Sequence, residues 1–427
     1  MARILFLTQV LPYPLNAGPK VRAYHMLRRL AGRHQVTLVS FVRKDDTAEA
    51  LQHLASFCAT VHTVPMQRSL WRNVRAGLKG LATGQPILIA RDEIGPMTQR
   101  LRQLVSASPY DVVHADQLSM AAYGILAAKA QRPRPKTLLD EHNAIYLLTE
   151  RMARTERRLV RRLLLRREAR AFARFEADMV RSYDAVLAVT EEDRQRLLDL
   201  LSEDERATAQ DRITTVPICV DPDQTPVIPR VPRQTGEPPT IVHMGTMFWP
   251  PNVSGVLWFA REVLPRIHEH VADARFIIIG KSPPAEILAL QRDERVTVTG
   301  YVEDPTPYLA RADAFIVPLH AGGGMRVKIL DAWLRGLPIV STSIGAEGIE
   351  IRPGENILIA DSAEAFAAQT VRLLVDESLN QRLRRSGREW VESQYAWSSV
   401  YRQVDEVYEK LLDHRSGHGI LGASATT

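Results

Sequence analysis

The sequence predicts an α/β chain of two doubly wound domains joined by a short, stiff connection. Three observations carry this reading. Short continuous apolar runs alternate with helix-like stretches through the first half, as expected where crossover helices bury parallel strands on both faces. The alternation stops over residues 216–240, which hold seven prolines. It then restarts and continues to residue 394.

Residues 3–8 (RILFLT) are the first expected strand, and a loop with Pro12, Pro14 and Pro19 follows. An amphipathic helix over 21–31 and a strand over 35–41 complete one βαβ unit. Residues 61–65, 112–115, 137–140 and 185–190 read as further strands. Proline density makes 217–240 extended and places the domain boundary there. In the second half, strands are expected at 241–244, 275–280, 296–299, 314–319 and 338–341. Helices are expected from 253 to 263, 363 to 374 and 380 to 393. The domains are therefore 1–216 and 241–394, with a last helix over 395–413. The tail 414–427 is rich in Gly, Ser, Ala and Thr and is expected to be disordered.

The chain has 427 residues and a net charge of +6, with a sequence pI near 9.4. A basic surface suits an anionic ligand, an anionic lipid or nucleic acid. Cys58 and Cys219 are the only cysteines. They exclude a disulfide framework and a cysteine metal cluster, and they fit a reducing, cytoplasmic setting. No segment reaches the roughly 20 apolar residues of a spanning helix. The apolar run at 4–7 is too short for a signal sequence. Residues 151–174 carry ten arginines, with Leu159, Val160, Leu163, Leu164 and Phe172 at helical spacing. They read either as a connecting helix packed on its own domain or as a face for an anionic membrane, which would make the protein peripheral to the inner face of that membrane. No recognition motif accompanies the charge, so nucleic acid is not expected.

Residues 320–350 build an anion site. Gly322, Gly323 and Gly324 let the backbone approach a ligand closely. A helix opening near Met325 aims free amides at that ligand. Arg326 and Lys328 add charge, and Asp331 is placed to accept from sugar hydroxyls. The alternative is an ordinary glycine-rich turn between strand and helix. Gly18, His114, His142, Gly245, Lys281 and Arg326 all fall at or just after expected strand ends, where open α/β sheets bind ligands. Each has a plainer reading. Gly18 is a turn glycine, His114 a core histidine, His142 a loop histidine and Glu347 a turn carboxylate. Asp304 reads as a helix cap. Asp221-Pro222-Asp223 has the spacing of a metal-binding pair but lies in the connection and reads as a turn. No metal requirement is expected.

Residues 274–280 (ARFIIIG), 296–304 (VTVTGYVED), 307–313 (PYLARAD) and the glycine block ending in GAEG resemble the retaining glycosyltransferases of family four. That resemblance implies the GT-B fold, with two Rossmann-like domains facing across a cleft. Asn16-Ala17-Gly18 is similar to the family's glycine loop. Residues 111–120 (DVVHADQLSM) and 139–143 (LDEHN) resemble its acceptor-side strand ends, and 395–412 its closing helix, which returns to the first domain. Many members carry two donor-site glutamates, and here those positions are Gly323 and Asp331. The Gly-Gly-Gly-x-Arg-x-Lys block marks a subgroup. Many members also place an Arg after the first strand of the second domain, whereas Met244 to Trp249 contain no cation, which leaves Lys281 to compensate.

The resemblance implies a hexose-type sugar moved from a nucleoside diphosphate donor to a hydroxyl acceptor, with retention. The acceptor class is a saccharide or lipid-linked saccharide of exopolysaccharide or cell-envelope synthesis. Arg326, Lys328 and the amides after the glycines, with Gly18, Gly245, Lys281 and Glu347, serve the donor. Asp331 holds the ribose. His114, Asp116 and His142 orient sugar or acceptor. A non-catalytic nucleotide-sugar or saccharide binding subunit and a sugar-nucleotide epimerase on the same fold stay open as alternatives.

Overall fold

The structure is a computed structural model. It describes residues 1–15, 18–66, 68–156, 158–322 and 324–413, so the expected tail lies outside it. The chain divides into two units. One holds Met1–Cys219 together with the segment from Val400, and the other holds Val220–Ser399.

The first unit is a seven-stranded parallel sheet. Its strands are β1 (Arg3–Thr8), β2 (Gln35–Val42), β3 (Thr60–Pro65), β4 (Val112–Asp116), β5 (Lys136–Glu141), β6 (Ala185–Ala188) and β7 (Ile213–Thr215). Their order is β3-β2-β1-β4-β5-β6-β7, so the winding reverses between β1 and β4. Val113 and Ala115 of β4 face a core with Met97, Leu101 and Ala121. The opposite face carries Phe6, His114 and Asp140 and is covered in part by the last helix, Trp397–Asp413. That helix buries Val400, Tyr401, Val404, Val407, Tyr408 and Leu411, one apolar stripe at helical spacing. Arg29 and Arg33 pair with its Asp405. The helix expected at 21–31 begins at Gly18. Pro19 is tolerated there because amides of the first turn have no intrahelical partner. β7 has only three residues, too few for a periodic signal.

The second unit is a six-stranded parallel sheet. Its strands are β8 (Thr240–Met244), β9 (Arg275–Ile279), β10 (Val296–Gly300), β11 (Ala314–Val317), β12 (Ile339–Ser341) and β13 (Leu358–Ile359). The order is β10-β9-β8-β11-β12-β13, with the reversal between β8 and β11. β11 stops two residues short of the expected end because Pro318 has no amide to offer the ladder. The helix expected at 253–263 is an α-helix over Pro250–Trp258 and a wider π-turn over Phe259–Val263. Residues 220–239 are not a free connection. Ile228 and Val231 donate to the carbonyls of Arg335 and Ala310, and Arg230 pairs with buried Asp313 at 2.7 Å. Residues between the prolines keep their donors, and these dock the segment on the second unit.

One buried acid ties two helices of the first unit. Glu176, on helix Leu159–Ser182, is fully buried. Its carboxylate accepts from the amides of Ile145 at 2.6 Å and Tyr146 at 3.2 Å. These are orphan donors at the start of helix Ile145–Thr155. Burial, partly offset by those two amides, pushes Glu176 up to about 8. Burial, with Glu176 and Asp193 beside it, pushes Glu141 well above the carboxylate range. For Glu176 the folded value lies above the ordinary 4.5. Its contribution to stability is therefore complete below about 4.5 and is lost as pH rises through about 8. Glu176→Gln keeps an acceptor for the two amides. The expected result is a flatter melting temperature across that window and a higher one than wild type at its alkaline end, measured by thermal unfolding against pH.

Candidate functional site

In the first unit the site stands where β1, β4 and β5 end, beside the reversal of winding. Asp116 pairs in register with Asp140. Thr8 follows the last matched β1–β4 pair, Leu7 with Ala115. Alternation along each strand turns Thr8, Asp116 and Asp140 to one face. Arg22, from helix Gly18–Ala31, donates from Nε and Nη2 to Asp140 at 2.9 and 2.7 Å. Its Nη1 donates to the carbonyls of Val216 at 2.7 Å and Pro217 at 3.1 Å. Burial works to raise the Asp140 carboxyl, but Arg22 and His142 outweigh it and hold the group below its usual range. His142 Nε2 lies 3.0 Å from Asp116 Oδ1 and 3.9 Å from Asp140 Oδ2. Burial pushes Asp116 up, against the pull of His142.

Five buried polar atoms here have no partner among the described residues: Thr8 Oγ1, His114 Nε2, Asp116 Oδ2, Gln117 Nε2 and Ser119 Oγ. Buried polar atoms are nearly always answered, by protein, water or ligand. Gln117 also holds a left-handed φ of 72° at the end of β4. Such strain persists only where the surroundings fix it, and it gathers at functional sites. Asp116, Asp140 and His142 offer ligand atoms within 4.8 Å of one another. Arg22 already answers both oxygens of Asp140, and His142 lies against Asp116.

His114 stands on the same face, two residues before Asp116, with Asp140, Arg22 and His142 near enough to act on its charge. It has no exposed surface, packs against Phe6 with ring centroids 4.2 Å apart and planes tilted by 31°, and bonds Tyr408 Oη through Nδ1 at 2.7 Å. Burial pushes its imidazole down to about 3. It packs under the last helix and is neutral at physiological pH. Gly18 is the first residue of its helix, and Asn16 and Ala17 lie outside the described residues.

In the second unit the site stands at the β8/β11 reversal. Gly245 follows β8, and its amide donates to Ile279 at 2.9 Å. Lys328 reaches back from helix Val327–Leu334 to Asn252 Oδ1 at 2.9 Å. A Cβ on Gly245 would lie 2.8 Å from Lys328 Nζ, so the glycine lets the ammonium settle against the backbone. Burial, then the neighbouring Arg326 charge, pushes Lys328 down to about 7. His243, in the middle of β8, donates from Nδ1 to the Ile316 carbonyl at 3.0 Å, which leaves Nε2 unprotonated and unanswered. Burial and the Lys328 charge push it down to about 3.

The helix opens at Val327 with Arg326 as its cap residue, two residues later than expected. Arg326 folds back over its own loop. It donates to the Gly324 carbonyl at 2.8 Å and the Ile344 carbonyl at 3.4 Å, and Glu347 lies 3.7 Å away. Gly322, at φ 139°, would place a Cβ 2.7 Å from the guanidinium, and Gly324 has φ 71°. Glu347, expected to meet the donor, is thus a partner of Arg326. Gly323 lies outside the described residues. Asp331 is held at 2.9 Å by Arg335, one turn further along the helix. Lys281 is exposed beyond β9, and its carbonyl accepts from Met247 at 2.9 Å. The structure therefore gathers Gly245, Gly324, Arg326, Lys328 and Glu347 and leaves Asp331 and Lys281 at the margin. Asn252 and His243 were not expected. An Asn after two helix-opening prolines and a His inside an apolar strand carry no motif.

Comparison with known proteins follows the two units. Residues 17–217 match the family model described as "Glycosyl transferase 4-like domain", and residues 238–376 match "Glycosyl transferases group 1". The chain is a glycosyltransferase of the family-four type. A GDP-mannose-dependent alpha-(1-6)-phosphatidylinositol monomannoside mannosyltransferase of Mycobacterium tuberculosis is 29% identical over 39% of this chain and 46% of its own. An uncharacterized 44.6 kDa protein of the cps region of Klebsiella pneumoniae is 21% identical over 95% of this chain and 99% of its own. HepE of Anabaena, solved with UDP and glucose, superposes with a TM-score of 0.65 at 14% identity, over 96% of this chain and 100% of its own. That likeness establishes the GT-B fold for the two parallel-sheet units.

The glycosyltransferase carries Lys328 at a cost to its stability without ligand. The folded value lies below the ordinary 10.5, so the cost is complete below about 7 and fades as pH rises toward 10.5. Lys328→Met is expected to melt higher than wild type at pH about 6, with the gap closing at alkaline pH. Differential scanning calorimetry of the ligand-free protein checks this.

Proposed function

We propose that this glycosyltransferase is a retaining hexosyltransferase that uses a nucleoside diphosphate sugar. Its acceptor is a hydroxyl of a saccharide, or of a lipid-linked saccharide, in polysaccharide or cell-envelope synthesis. The observation that carries the donor reading is Lys328 standing over Gly245. A cation kept partly desolvated, beside a helix N-terminus and a glycine loop, suits an anion that arrives with two phosphates. As the anomeric carbon–oxygen bond breaks, charge develops on the leaving diphosphate. Lys328, Arg326 and the first amides of helix Val327–Leu334 are its proposed stabilisers. No metal is needed if these groups carry that charge. Asp331 takes the ribose hydroxyls when Arg335 yields.

In the first unit, Asp116 Oδ2 and the neighbouring unanswered polar atoms of Thr8, Gln117 and Ser119 are the proposed seat of the acceptor hydroxyls. His142 aligns Asp116, and Arg22 fixes Asp140 behind them. His114 supports this face from below as a positioning residue. The mannosyltransferase named above, which is GDP-mannose-dependent, and HepE, solved with UDP and glucose, support a nucleotide-sugar donor without choosing the base.

The test is thermal stabilisation by a panel of nucleoside diphosphates and their sugars. A ligand that binds only the folded state raises the melting temperature. One base is expected to stabilise wild type, and Lys328→Ala and Arg326→Ala are expected to lose that shift. Diphosphate binding needs the Lys328 ammonium, so affinity is expected to weaken as pH rises above about 7. No shift from any nucleotide, with well-folded protein, overturns the reading. Asp116→Asn is expected to leave nucleotide binding intact and to lower the rate of sugar transfer on the order of 10²-fold.

A further inference from the structure

Helix Leu70–Thr83 is built inside out. It buries only Ala76 and Gly80. Leu70, Trp71, Val74, Leu78 and Leu81 are each more than half exposed, Trp71 by 84%. At 3.6 residues per turn these five fall in one stripe ~100° wide. Arg72, Arg75 and Lys79 lie along its flank, with Lys79 paired to Glu93. A surface helix ordinarily turns such a stripe toward its own core.

A second helix repeats the pattern. The arginine-rich stretch of 151–174 is two helices, Ile145–Thr155 and Leu159–Ser182. In the latter, Leu159, Val160 and Leu163 are each more than half exposed, and Leu164 is exposed by 45%. From Ala169 onward the helix turns its apolar side chains inward, so Phe172 belongs to the core rather than to this face. Arg167 donates to the carbonyls of Gly80 and Gln85, and Glu168 accepts from the Ile87 amide at 2.8 Å. These bonds hold the two helices together, so their outward leucines belong to one surface of the first unit.

The two helical stretches themselves carry charge of one sign, with Glu93 and Glu156 meeting Lys79 and Arg161 at their edges. Residues 70–83 and 157–167 contain no Asp or Glu. Exposed apolar patches mark interaction sites. An apolar stripe edged mainly by cations suits a layer of anionic headgroups over acyl chains. Trp favours that boundary because its ring is apolar and its N–H polar. No helix among the described residues is long and apolar enough to cross a membrane, so the contact lies in the interface plane. We propose that the helices Leu70–Thr83 and Leu159–Ser182 dock this glycosyltransferase on an anionic bilayer. Trp71 and the leucines enter the headgroup boundary, and Arg75, Arg162 and Arg166 meet lipid phosphates. The proposal does not depend on the donor or acceptor assignments.

The test is co-sedimentation of the full chain with phosphatidylcholine vesicles, with and without phosphatidylglycerol. Wild type is expected to sediment with the anionic vesicles and to be released by salt. Trp71→Ser with Leu78→Ser, and separately Arg75→Glu with Arg166→Glu, are each expected to weaken binding about tenfold or more. Both are expected to keep the wild-type melting temperature, since none of the four side chains is buried. Three outcomes overturn the proposal: no sedimentation of wild type, equal binding to neutral vesicles, or unchanged binding by both double variants. A dimer in sedimentation velocity that Trp71→Ser dissolves, without vesicle binding, also overturns it and assigns the stripe to a second copy.

Discussion

The first unit is organised by the fully buried ion pair of Arg22 and Asp140. Taking two charges out of water costs several kcal/mol per ion unless the geometry answers all of their hydrogen bonds. Arg22 meets that demand with both oxygens of Asp140 and the carbonyls of Val216 and Pro217. One side chain thereby fixes the first helix, the end of β5 and the end of the first unit's main segment. The charge it preserves on Asp140 then acts on His142, and His142 aligns Asp116. Removing Arg22 would leave a bare carboxylate inside the sheet, so the polar face and the fold share one support.

The second unit makes the opposite choice at Lys328. Its ammonium has a neutral partner, Asn252 Oδ1, and a like charge, Arg326, nearby. No ion pair joins it to a carboxylate among the described residues. A complete ion pair would make that region more stable and would leave an incoming diphosphate nothing to gain. Arg326 shows the intermediate arrangement, held by two carbonyls with Glu347 at a longer distance.

β1 and β9 were readable from sequence because burial on both faces demands an unbroken run of four or more apolar residues. β7 and β13, with one and two apolar residues, offer no such run. Helix starts were misread in opposite senses: at Gly18 a first-turn proline looks like loop, and before Val327 a folded-back arginine looks like helix. The glycine block announced its site because backbone approach and cation spacing are local properties. The histidines did not sort themselves. His114 and His142 both sit at strand ends, and what separates them is Tyr408, 294 residues from His114 in sequence. Asn252 lies 76 residues from Lys328. Partners that distant leave no mark in local spacing.

The segment from Val400 belongs with the first unit although the second unit separates the two in sequence. The polypeptide therefore passes between the units twice, and the GT-B halves are not beads on a string. A fragment ending at Cys219 would lack the layer that shields Phe6, His114 and the rest of that sheet face. An exchange of donor modules between relatives at a single splice point would pair one protein's sheet with another protein's final helix. A workable chimera has two junctions, one at each passage, so that the first sheet and its closing helix are inherited from the same parent.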